Sequence, residues 1–79
     1  MPVVVPELGV AGPVTVSLWL VRRGARVLAG DRVVELLAGA ATVDLEAPVA
    51  GTVVAQLADE DESVRPGTVL AEILAVEEA

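Results

Sequence analysis

Carboxylates and arginines are nearly the whole chemical repertoire of this chain. Glu35 and Glu72 sit at matching places in two apolar runs. Two carboxylates brought together can divide acid and base roles. Each of these, however, falls on the alternate, outward position of its run, which predicts a structural place rather than a catalytic one. Asp59-Glu60-Asp61-Glu62 sets four acids in a row. A calcium loop spaces its ligands around a glycine turn, and this run has no such spacing. It reads as a solvated loop with docking as the alternative. Arg22-Arg23 reads as a soluble turn, with an acidic partner as the alternative. Asp31, after Gly30, reads as a turn residue that bonds its own backbone. Trp19 is the single aromatic side chain. It could anchor a partner, but alone among aliphatic residues it is expected to pack. No nucleophile–base pair, metal cluster or phosphate loop is visible, so no catalytic residue and no metal ligand is assigned.

What is missing narrows the function further. There is no cysteine and no histidine. That removes disulfides and thiol chemistry, and with them phosphohistidine transfer and the usual serine triad. A zinc site is not expected either. The five basic residues are Arg22, Arg23, Arg26, Arg32 and Arg65, so the sequence contains no lysine. A net charge of −7 with one aromatic residue makes a poor nucleic-acid binder, because phosphate is repelled and no stacking platform is offered. The chain is 54% hydrophobic, which raises the question of a membrane. Its longest uncharged stretch runs from Leu8 to Val21 and is broken by Gly9, Gly12 and Pro13. That is too short to span a bilayer. Glu7 stands where a signal peptide would carry basic residues, and a cytoplasmic location is the default expectation.

These groups must be carried by a small fold. A chain of 79 residues suits one domain, 1–79, and such a domain buries roughly 60% of its unfolded surface. Val, Leu and Ala supply a thin aliphatic core, which suits two closely packed small sheets. Met1 to Leu8 reads as an extended segment that Pro2 and Pro6 confine to an edge. Strands are expected at Val14–Val21, Val33–Leu37, Thr42–Glu46, Thr52–Leu57 and Val69–Ala75. Arg22-Arg23-Gly24, Ala29-Gly30-Asp31 and Pro66-Gly67 read as turns, and Val76–Ala79 as a polar end. No segment holds the stripe of a helix. Leu36–Ala41 alone has a composition that would accept one helical turn. Between Val33–Leu37 and Thr42–Glu46, the short Ala38-Gly39-Ala40-Ala41 link predicts a hairpin.

The chain also repeats. A shift of 37 residues lays Thr15-Val16 on Thr52-Val53, Leu20 on Leu57, Val27 on Val64, Gly30 on Gly67 and Glu35 on Glu72. One short duplication predicts two similar β-units facing each other. The expected object is all-β: a flattened barrel-sandwich hybrid of two small antiparallel sheets with quasi-two-fold symmetry. The Gly39-Ala40 hairpin closes one end, and both termini lie at the other.

The stretch Gly30 to Thr52 resembles the prosthetic-group hairpin of the lipoyl/biotinyl-attachment domain family. Gly30, Asp31, Val33 and Glu35 match its G-D-x-[VIL]-x-E segment. Ala41 matches the end of its Asp-Lys-Ala turn, and Thr42, Val43, Asp44, Ala47, Pro48 and Gly51 match positions of its later T-V-[DE]-V and A-P-x-x-G segments. Val5-Pro6-Glu7-Leu8-Gly9 resembles the opening of lipoyl domains from dihydrolipoamide acyltransferase components of 2-oxo acid dehydrogenases. The segment after Trp19 is similar as well. The likeness covers Val3 to Leu74. It implies a carrier fold whose attachment turn reads Asp-Lys. Here Gly39 replaces the Asp and Ala40 replaces the Lys. The biotin variant, Ala-Met-Lys-Met, fits Leu37–Ala41 less well.

The resemblance therefore implies a lipoyl-domain homologue that cannot be lipoylated as it stands. It is expected to act as a non-acylated interaction or structural module, without enzymatic activity and without a bound cofactor. A protein partner is expected, with 2-oxo acid dehydrogenase components as candidates; a homodimer through exposed strand edges is open. Two other readings remain: a carrier domain altered to block modification, and a barrel-sandwich module of the membrane-fusion adaptor type.

Overall fold

Alternating apolar residues and well-placed turns give eight strands and, among the described residues, no helix. The computed structural model describes residues 1–76, so the expected polar end beyond Val76 lies outside the described residues. The strands are β1 Pro2–Val4, β2 Val14–Trp19, β3 Arg26–Val27, β4 Arg32–Ala38, β5 Ala41–Glu46, β6 Gly51–Gln56, β7 Ser63–Val64 and β8 Val69–Ala75. They form two four-stranded antiparallel sheets, ordered β1-β8-β6-β3 and β5-β4-β2-β7. This is the barrel-sandwich hybrid expected, drawn out to 45 × 20 × 17 Å. The helical turn considered for Leu36–Ala41 is absent: β4 continues to Ala38 and the chain turns over Gly39-Ala40.

The 37-residue repeat is realised strand by strand. β2, β3 and β4 shift onto β6, β7 and β8 with identical boundaries. The pairing irregularity of β2 between Val16 and Leu18 recurs in β6 between Val53 and Ala55. Each inserts one extra residue, Ser17 or Val54, and so bends its strand and strengthens the local twist. β3 and β7 were not anticipated as strands. Two residues carry no readable alternation, and these form because the edges of β6 and β2 offer pairing partners.

The core follows the same symmetry. Val16 with Val53, Val33 with Leu70, Leu36 with Ile73, and Val27 with Val64 are buried pairs of repeat mates. Burying such a side chain contributes about 1.5–3 kcal/mol. No polar or charged residue is buried among those described. β1 lies beside β8, with Met1 N donating to Ile73 O at 2.8 Å and Ile73 N donating to Met1 O at 2.9 Å. Also among the described residues, no helix is long and apolar enough to cross a membrane.

One turn shows how far backbone symmetry extends beyond residue identity. Gly24 has φ +93°, and its repeat mate is Asp61, whose φ is +72°. Gly24 N donates to Val53 O and Asp61 N donates to Val16 O, both at 2.7 Å. Asp is among the few side chains tolerated in this left-handed region, which a β-branched residue resists. Asp61→Gly is therefore expected to leave the urea midpoint unchanged or raised, while Asp61→Val loses about 1–2 kcal/mol. Equal melts for the two variants would remove the conformational argument.

Candidate functional site

The sequence singles out the β4–β5 connection, and the structure makes it the outer point of a hairpin. Strand β4 is anchored from beneath by Val33, Val34, Leu36 and Ala38, all buried. Strand β5 is the sheet edge and pairs with it as Glu35↔Asp44, Leu36↔Val43, Leu37↔Thr42 and Ala38↔Ala41. That register leaves only Gly39 and Ala40 as the loop, both exposed. Gly39 has φ +63°, whereas Ala40 keeps a negative φ. A positive φ at the first central position alone is the sign pattern of a type II′ turn, where glycine is favoured. The tip is a well-supported point bearing a methyl group. Across the base of the hairpin, Arg32 Nη1 donates to Asp44 Oδ2 at 3.2 Å. This pair is exposed and adds little stability.

The remaining candidates are not gathered at this tip. Glu35 lies in β4 of one sheet and Glu72 in β8 of the other, so they share no site. Both are half-buried, and Glu72 Oε2 lies 3.7 Å from the Met1 ammonium. Asp31 Oδ2 accepts from Leu28 N at 2.8 Å, the local turn bond expected of it. In the acidic turn, Glu60 Oε2 accepts from Trp19 N at 2.9 Å and Glu62 Oε1 accepts from Asp59 N at 3.1 Å. Two of the four acids thus satisfy backbone donors. Among the described residues, no three Asp or Glu side chains converge as a metal set.

Trp19 packs against the core, as expected, and its Nε1 also donates to Ala58 O at 2.9 Å. Sequence reasoning missed its counterpart. Gln56 is the repeat mate of Trp19, and its Nε2 donates to Val21 O at 2.9 Å. Val21 is in turn the repeat mate of Ala58. The two bonds therefore form one symmetric pair, tying the segment after β2 to the segment after β6. The 37-residue shift held the signal: an amide-bearing Gln aligned with an indole-bearing Trp.

A family model described as "Biotin-requiring enzyme", for biotin- and lipoyl-attachment domains, matches residues 1–73. No curated protein matches the chain.

Proposed function

The chain belongs to the biotin/lipoyl-attachment domain family, and from that premise we propose that it is a lipoyl-type homologue working without a prosthetic group. Domains of this family are carrier modules. Their chemistry is supplied by a cofactor joined through an amide to a lysine amine. The residues at this tip do not fit that group: Ala40 has no nucleophile, Gly39 stands beside it, and the sequence holds no lysine. The α-amino group of Met1 is engaged by Ile73 O, beside β8. The observation that carries the reading is the Gly39-Ala40 turn itself, a carrier-shaped hairpin with an inert point. The hairpin sequence and the Val5–Gly9 opening favour kinship with the acyltransferase components of 2-oxo acid dehydrogenases. The module then serves by docking, and dehydrogenase components of such complexes are the first partners to try.

The test restores the missing amine. Ala40→Lys, and Gly39→Asp with Ala40→Lys, are incubated with lipoate, ATP and a lipoate ligase beside the unaltered protein. Intact mass is recorded before and after. The single variant matters because Asp at φ +63° can disturb the turn. One lipoyl group gained by a lysine variant and none by the unaltered chain is the expected result. A gain on the unaltered chain would overturn the inert reading. No gain on either folded variant would remove the carrier-shaped tip.

A further inference from the structure

Beside the Arg22-Arg23 turn lies a groove of about 450 Å³, lined by Leu20, Val21, Arg26, Val27, Asp31 and Arg32. Its lining combines Leu20, Val21 and Val27 with the guanidinium groups of Arg26 and Arg32. Asp31 is occupied by the Leu28 amide and Arg32 leans on Asp44. Among the described residues, Arg22, Arg23 and Arg26 have no carboxylate partner. Such a groove suits a short segment that presents carboxylates next to small apolar side chains.

The complementary segment is on this same chain. The 37-residue shift lays Arg22-Arg23-Gly24-Ala25 on Asp59-Glu60-Asp61-Glu62. The two turns share a backbone conformation and a hydrogen-bond frame, and they carry opposite charge. The paired bonds Trp19 Nε1 to Ala58 O and Gln56 Nε2 to Val21 O bring the segments leading into them side by side. Within one molecule the acidic turn is held on the edge of β2, where Val16 N donates to Glu62 O and Asp61 N to Val16 O. It is not ion-paired to the arginines.

We propose that the arginine-rimmed groove receives the acidic turn of a second copy of this chain, and that two copies pair about a two-fold axis with both contacts made at once. The molecule's internal pseudo-two-fold places the basic and acidic turns as equivalents about one centre. A second copy, turned by half a rotation about an axis perpendicular both to that pseudo-two-fold and to the line joining the two turns, sets each basic turn against an acidic one. This is a closed, isologous arrangement. An unrelated acidic partner would meet the groove once, whereas a second copy meets it twice. The net charge of −7 opposes association in general, so the pairing depends on where the charges lie.

Sedimentation velocity of the full chain, from micromolar to millimolar concentration, is the test. Three proteins are compared: the unaltered chain, one with Arg22→Glu and Arg26→Glu, and one with Asp59→Arg, Glu60→Arg and Glu62→Arg. The unaltered chain is expected to pass from monomer to dimer. Each variant alone has like charges opposed, and its association weakens on the order of tenfold or more. An equimolar mixture of the two variants regains the dimer, one copy of each, because opposite charges again face each other at both contacts. Circular dichroism checks folding, and Arg26→Ala and Asp59→Ala replace any variant that fails to fold. An unaltered chain that stays monomeric to millimolar concentration overturns the proposal. So does a charge-reversed variant that dimerises as well as the unaltered chain.

Discussion

Gly51→Ala lowers stability by about 3 kcal/mol or more, the upper part of the range for overpacking. The reason is a close approach of backbone, not a special dihedral. Gly51 is buried at the start of β6, paired with Val27 on one side and Ala75 on the other. A Cβ there would stand 2.1 Å from Leu74 O and 2.8 Å from its carbonyl carbon. Neither atom can rotate aside as a side chain could. Strand β8 is also pinned at this point, because Val76 N donates to Ala50 O at 3.0 Å. Adding one methyl therefore forces β6 and β8 apart. For a chain this short the loss corresponds to roughly 12–24 °C in melting temperature. Urea melts followed by Trp19 fluorescence read the effect directly. Gly12→Ala is the control: nothing lies within 4 Å of its added Cβ, so its midpoint should hold. A Gly51→Ala midpoint equal to that of the control would show that the strands are not so close.

Leu36→Ala and Ile73→Ala are each expected to cost about 2–5 kcal/mol. The two losses should agree to within about 1 kcal/mol. Leu36 is 0% and Ile73 1% exposed, and they are repeat mates on the two facing sheets. Each truncation removes a branched side chain from the same kind of place, leaving a cavity that the rest of a thin core can only partly close. A chain of this length has about 4–12 kcal/mol in all, so either variant unfolds at far lower urea. The comparison also tests the symmetry energetically. A loss under about 1 kcal/mol at one site, beside a full loss at the other, would mean that one β-unit carries the core and the other only covers it.

Much of this was legible in the residues. The five longer strands show in their apolar runs, and the shift that aligns Thr15 with Thr52 foresees the facing of two units. The hairpin at Gly39-Ala40 was readable because two β-branched runs are separated by only a few small residues. The resemblance around Gly30–Thr52 lies within residues 1–73, which the family model matches. The short strands β3 and β7 were not legible. Arg26-Val27 and Ser63-Val64 have no periodicity of their own, and they are strands only because a neighbour's edge is free to pair. The bond from Gln56 to Val21 spans 35 residues, and only the alignment of Gln56 with Trp19 under the 37-residue shift pointed to it.

By itself the sequence determined the β class, the quasi-two-fold plan, the position of the hairpin point and the lack of any lysine to modify. Those properties are local, or they follow from matching one half against the other. The tertiary structure alone decided how the halves engage. It set Trp19 and Gln56 to bind each other's segments, brought Leu74 against Gly51, and carried the oppositely charged turns on linked segments. Such features depend on how closely two backbones approach and where their polar groups meet. Both are settled only when the two sheets pack and every buried polar group must find a partner.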